Sequence, residues 1–438
     1  MNRIQMLQQQ GMFYRKIRNT TNWCIAYILA TLVSWITIFL SRGEKLSWYF
    51  HNNPLDTSMD YFNVLNLSGS DKIYEGLGNN YPPICYVIMK ILHYFVPAAT
   101  PSSMQIANYQ NVPGIFLRNY QNSLLIYLLI IIFSTLILLA CINSICNQKS
   151  AIEKIIISIA TIVSGPFVYM IERGNIILFA FLGIMIFIAC YESNNRAIRI
   201  LGYFGYAFAT AIKLYPAVFA ILLIRKKRWK SLAFTSVLAI AMFFIPFIAF
   251  GGVSALLGFI RGLTSFTSDF STVGLGLQLS MSNMSKIVSI FLPESDWLFF
   301  ALPGLHVIML IACTFVCFFE ESEWRVLFIL GIMCSIIPSV SFTYSLVFLI
   351  PCLLNIMANN VLVNKNDLLL VLLLFSTLFT YILPIVSFPG NLNDNVTYPL
   401  YWGYVIINFS LYLSLFLLSG NTLVKLKAKT ARQYSSEK

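Results

Sequence analysis

The sequence predicts an all-α, polytopic integral membrane protein, and three observations carry that prediction. Hydrophobic residues make up 58% of the chain and charged residues only 11%, with a mean hydropathy of +0.76. The apolar residues gather in runs that can cross a hydrocarbon core about 30 Å thick as helices, with short polar turns between them. No polar stretch is long enough to bury a separate core; the longest are 41–81 and 251–296. One membrane domain over 1–438 is expected, with about 10–13 transmembrane helices, some of them half-helices, around an extracytoplasmic cavity.

Arg3, Arg15, Lys16 and Arg18 precede the first apolar run, 23–40, and put the N-terminus in the cytoplasm. That run is long enough to span, and the basic stretch before it does not read as a cleavable signal. The connection 41–122 then lies outside. Within it 84–96 is apolar but too short to cross, and it carries Lys90 and His93, the pattern of an interfacial helix. Spans follow at 124–145, 155–171 and 176–191.

The next stretch has Arg196 and Arg199 before it and a basic cluster at 225–230 after it, so both ends favour the cytoplasm. Its roughly 25 apolar residues, at about 1.5 Å each, cannot cross twice as full helices. Two half-helices meeting at Lys213-Leu214-Tyr215-Pro216 resolve the conflict, with Pro216 starting the second. Broken helices at membrane depth line protein or water, so Lys213 is expected to face the cavity.

Further spans fall at 231–250, 297–319, 326–337, 344–357, 368–386 and 402–418, giving twelve crossings with both termini inside. Between the first two lies a second outer loop, 251–296, whose Ser/Thr/Gly-rich part 264–285 reads as a mobile loop. On this topology 20 of the 29 Lys and Arg are cytoplasmic and 9 are outside, while the 17 acids divide 7 to 10. The net charge of +12 therefore reports membrane orientation and does not call for nucleic acid. Nine cysteines without ligand spacing and only three histidines argue against a metal site. No cofactor is expected.

The connection 41–122 carries Asp56, Asp60, Asp71 and Glu75 and runs on to Tyr81-Pro82-Pro83. A carboxylate just outside the membrane can act as general base toward an acceptor hydroxyl; equally, these acids can be solvated loop residues. Asp60 is the first candidate and Asp56 the reserve. Arg173 and Lys213, at the outer ends of membrane segments, suit a phosphate: one offers a forked donor set, the other a mobile point charge. The alternatives for Arg173 are an ion pair with Glu172 or snorkelling to the interface.

These residues together resemble glycosyltransferase family 87, the polyprenyl-phosphate-mannose-dependent mannosyltransferases of the GT-C class. The resemblance runs through Asp60-Tyr61, Gly69-Ser70-Asp71-Lys72-Ile73-Tyr74 and Tyr81-Pro82-Pro83. It continues through Arg173-Gly174-Asn175, Lys213-Leu214-Tyr215-Pro216, Asn283-Met284-Ser285 and the stretch from Pro338 through Tyr344 to Pro351. Where the family has two histidines this chain has Tyr344 and Ser345, and the sugar stays open between mannose and glucose.

The resemblance implies a GT-C-like bundle and an inverting hexose transfer from a polyprenyl phosphate to a glycan or glycolipid on the outer face of a bacterial inner membrane. It implies Asp60 as base, and Arg173, Lys213 and Tyr344 around the donor phosphate. Tyr81, Pro82, Asn175, Tyr215, Asn283 and Ser285 would line the cavity. A lipid phosphate needs no diphosphate clamp, so no metal is expected. Two other classes fit a chain of this shape. A surface-polysaccharide polymerase or ligase should cluster its outer arginines, which here are scattered. A lipid-linked-sugar flippase or transporter usually shows internal repeats, and none is visible.

Overall fold

A computed structural model describes residues 20–42, 44, 57–70, 72–75, 80–96, 114–269, 278–281, 284, 296–359, 365–379, 384–389 and 397–436. Asp56, Asp71, Asn283 and Ser285 lie outside the described residues.

The helices in chain order are α1 (Thr20–Leu40), α2 (Met59–Leu67), α3 (Pro83–Tyr94), α4 (Gln121–Ile145), α5 (Ala151–Ile162), α6 (Gly165–Arg173), α7 (Ile177–Cys190) and α8 (Arg196–Ile212). They continue as α9 (Ala220–Arg225), α10 (Trp229–Phe244), α11 (Val253–Asp269), α12 (Asp296–Phe319), α13 (Glu323–Ile336), α14 (Ile350–Ala358), α15 (Lys365–Phe379) and α16 (Trp402–Ser436). Short 3₁₀ segments lead into α9 (Tyr215–Phe219) and α14 (Thr343–Leu349) and extend α10 (Ile245–Phe250). Among the described residues, five helices are long and apolar enough to cross a membrane, or six if the bent pair α5–α6 counts as one span. The protein is thus a polytopic all-α membrane protein. The faces of α1, α4, α10 and α12 expose Leu, Ile, Val and Phe, which hydrocarbon would solvate.

The other apolar segments break where the sequence cannot sustain a straight helix. The predicted span 155–171 bends by 52° between α5 and α6, at Ser164-Gly165-Pro166, because Pro166 removes an intrahelical donor. The predicted half-helices are present: α8 stops at Ile212, Lys213 and Leu214 are non-helical, and the chain returns through Tyr215–Phe219 and α9. At the centre sits α13, buried on every face from Trp324 to Ile336, as an all-round apolar helix must be. α7 and α8 pack closest at Gly183 and Gly205; a Cβ on Gly183 would stand 2.4 Å from the Gly205 carbonyl oxygen.

Three expectations need correction. The predicted span 368–386 ends at Phe379, and Val386 belongs to a strand, β1 (Pro384–Pro389), paired antiparallel with β2 (Thr397–Tyr401). Hydropathy alone does not separate a short apolar strand from a helix, and Pro384 cannot continue one. The predicted loop 264–285 begins inside α11, whose buried positions 255, 258, 259 and 262 follow a helical period. The last helix continues past 418 to Ser436. The stretch 84–96 forms most of the helix α3, which buries Cys85, Tyr86 and Met89 and exposes Ile91 and Tyr94.

A buried ion network ties the bundle together at the end where α9 and α12 terminate. Arg325 on α13 bonds Glu320 at 3.3 Å and also Asp367 on α15, and the Thr422 hydroxyl donates to Glu320 at 2.8 Å. Glu320, Arg325 and Asp367 are nearly inaccessible, at 2%, 5% and 5% exposure. We predict that Arg325→Met, which removes the cation from between two buried carboxylates, destabilises the protein by about 3–5 kcal/mol. Thermal unfolding in detergent checks this, and an unchanged midpoint would refute it.

Candidate active site

Two turns of backbone chemistry build the site. At the C-terminus of α6 the Asn175 N–H donates to the Met170 carbonyl (3.1 Å) and the Gly174 N–H to Ile171 (3.0 Å). This Schellman closure needs a left-handed residue, supplied by Gly174 at φ +63°. The Asn175 Oδ1 then accepts the Ile177 N–H (2.9 Å) at the start of α7. That commits its oxygen, so its amide nitrogen faces outward as a donor.

The donor's target is Asp60 in the first turn of α2, where the helix dipole favours a carboxylate. Asn175 Nδ2 donates to Asp60 Oδ2 at 2.6 Å, and Arg173 Nη2 to Asp60 Oδ1 at 3.1 Å. The Asp60 and Arg173 side chains keep 20% and 17% exposure. The ion-pair alternative for Arg173 thus takes a different partner: Glu172 accepts from the Thr57 hydroxyl (3.0 Å), and its carbonyl from the Ser58 N–H (2.7 Å). These bonds dock the start of α2 on the end of α6.

Gly174 also permits that docking, since a Cβ there would meet the Ser58 carbonyl oxygen and Tyr61 Cβ at 2.9 Å each. We predict that Gly174→Ala costs about 1–3 kcal/mol through backbone strain. It should also lower turnover about 100-fold by displacing Asp60. Thermal unfolding and a transfer assay measure both; wild-type turnover would show that Asp60 tolerates the shift.

Lys213 approaches from the break after α8, its Nζ 4.4 Å from the centre of the Tyr81 ring. Tyr81 is held by its carbonyl, which accepts the Tyr74 hydroxyl (2.8 Å), and Pro82 is buried at the start of α3. Tyr344 comes from the 3₁₀ segment, its ring 5.9 Å from those of Tyr169 and Phe342. Asp60 lies within electrostatic reach of Lys213, Tyr81 and Tyr344, and Tyr215 within reach of Tyr344. Burial above all, and then the Asp60 charge, hold the Tyr81 phenol well above its ordinary range, so it stays protonated and able to donate.

Of the residues singled out in the sequence, the structure therefore brings Asp60, Tyr81, Arg173, Asn175, Lys213, Tyr215 and Tyr344 to one region. The sequence names Tyr74 within the Gly69–Tyr74 motif without giving it a role, and Tyr169 is not singled out. Tyr169 stands four residues before Arg173 on α6, a spacing that shares a helix face and could have revealed it. Nothing local marks Tyr74 as the support for Tyr81.

A polytopic helical bundle with a carboxylate, two cations and tyrosines gathered where its helices break defines a class of membrane protein with a polar site among its spans. The model of glycosyltransferase family 87 matches residues 79–343, more than half of the 438-residue chain. The protein belongs to glycosyltransferase family 87 and is a membrane glycosyltransferase. Asp60 lies before the matched region and Tyr344 directly after it, while Tyr81, Arg173, Asn175, Lys213 and Tyr215 lie inside it. Comparison with curated proteins and with solved structures gives no match.

Proposed function

We propose that the enzyme transfers a hexose, mannose or glucose, from a polyprenyl-phosphate donor to a hydroxyl of a glycan or glycolipid, with inversion. The site would face outside a bacterial inner membrane, with both termini in the cytoplasm. The observation that carries this reading is the Asp60 carboxylate, held at both oxygens by Arg173 and Asn175 beside Lys213, Tyr81 and Tyr344.

Asp60 takes the acceptor's proton as the acceptor oxygen attacks the anomeric carbon. An ionised carboxylate has about four lone-pair sites, so the two bonds it makes here leave room for that hydroxyl. The anomeric C–O bond breaks on the opposite face, and polyprenyl phosphate leaves with the electron pair. Arg173 and Lys213 stabilise the charge collecting on the phosphate, and Tyr344 donates a hydrogen bond to it. Tyr81, Pro82, Asn175 and Tyr215 line the cavity. The bilayer carries the donor's isoprenoid chain.

The test is transfer by the purified protein in lipid nanodiscs, offered polyprenyl-phosphate mannose, glucose and galactose with a crude surface-glycan acceptor. Transfer from mannose or glucose is the expected result. No transfer from any donor, with lipid-linked sugar crossing the bilayer instead, would replace this reading with transport.

A further inference from the structure

Residues 278–281 belong to the connection between α11 and α12, yet they run through the interior. Gln278, Leu279 and Ser280 are at most 1% exposed. Backbone buried in a bundle has no ladder to join, so other groups must satisfy its donors. Here they come from three directions. The Leu279 N–H donates to the Ser341 carbonyl (2.8 Å), the Ser280 N–H to Asn408 Oδ1 (3.0 Å) and the Met281 N–H to the Tyr412 hydroxyl oxygen (2.6 Å). Asn408 returns a bond from its amide to the Gln278 carbonyl at 3.4 Å.

Asn408 and Tyr412 lie four residues apart on α16, one above the other on a single face. Polar side chains in an apolar helix are costly unless they have such a task. Tyr412 is itself tied to α12, its oxygen 2.8 Å from His306 Nδ1. That oxygen can accept from Met281 while its proton goes to Nδ1 of a neutral His306 protonated at Nε2, the tautomer that lets one hydroxyl serve both neighbours.

Two features connect this anchorage with the candidate site. Ser280 holds φ at +119°, a conformation that a non-glycine residue keeps only where its surroundings over-determine it. Its buried hydroxyl has no partner among the described residues. Ser341, which accepts from Leu279, shares a hydroxyl contact of 2.9 Å with Ser345, the residue after Tyr344. On its other side Thr343 meets the Tyr404 hydroxyl of α16 at 3.4 Å.

We infer that His306, Tyr412 and Asn408 are positioning residues: they clamp 278–281 against 341–345 and thereby fix Tyr344 relative to Asp60. The inference rests on the transfer reaction proposed above, although the clamp itself can be read without it.

The experiment uses the full chain in nanodiscs and combines hydrogen exchange of the peptide containing 278–281 with steady-state transfer. Tyr412→Phe removes the acceptor for Met281, and exchange there should quicken about tenfold. The turnover number should fall about tenfold with the donor KM within about twofold, as displacement without lost contact predicts. His306→Leu should act in the same direction. His306→Gln, whose amide oxygen can accept from Tyr412, should recover most of the loss.

Unchanged turnover in Tyr412→Phe would overturn the positioning role. A loss that follows only the folded fraction would also overturn it, by reducing these residues to scaffolding. If Tyr412→Phe does not fold, the contrast between Gln and Leu at 306 decides the same question. Absence of transfer in the wild type would refute the proposed reaction. Exchange in Tyr412→Phe would then decide the clamp alone: faster supports it, unchanged removes it.

Discussion

Asp60→Asn is expected to lower transfer by about 1,000-fold or more while leaving the fold in place. A general base supplies on the order of 10²–10⁴ in rate, and an amide oxygen cannot take the acceptor's proton. The substitution is nearly isosteric but not neutral in hydrogen bonding. The new amide can turn its oxygen toward Arg173, which then sets its NH₂ against the Asn175 NH₂. Asn175 cannot rotate to relieve this, because its oxygen caps Ile177. One lost bond costs about 1 kcal/mol, far less than the kinetic effect, so thermal unfolding and turnover separate the two consequences. Retention of more than a tenth of wild-type turnover would remove Asp60 as base and turn attention to Asp56.

Most of the architecture was legible because membrane helices are written in length and hydropathy. The basic residues at both ends, the length of the run between them and Lys213-Leu214-Tyr215-Pro216 inside it located the break after α8. What hydropathy could not reveal were choices made by backbone hydrogen bonding. Val386 entered a strand, and α11 claimed residues that composition assigns to a loop. The site was legible as a set of residue types but not as a geometry. Asp60 and Arg173 stand 113 positions apart, and no local pattern shows that a Schellman turn at Gly174 aims both Arg173 and Asn175 at one carboxylate. Asn408 and Tyr412 did carry a readable signal, two polar side chains at helical spacing in an apolar run.

The second large effect is expected at Lys213. If its ammonium stabilises the departing phosphate, Lys213→Met should lower turnover by about 10²–10³-fold, the range for losing one preorganised donor to developing charge. The donor KM should rise as well, because the phosphate is charged before it leaves. The side chain is well placed for this. It stands at the C-terminus of α8, where the helix dipole favours a cation, and Tyr81 presents a ring face 4.4 Å away. Tyr81→Leu removes that support, worth about 0.5–2 kcal/mol, together with a phenol at the cavity wall, but keeps the ammonium and should be the milder change. Arg173→Met combined with Lys213→Met should cost less than the product of the single losses, since groups acting on one phosphate are not independent. Multiplying effects would assign the two cations to different steps. A Lys213→Met variant with normal kinetics and only a lower unfolding temperature would mean that the lysine serves the broken helix, and that Arg173 carries the phosphate alone.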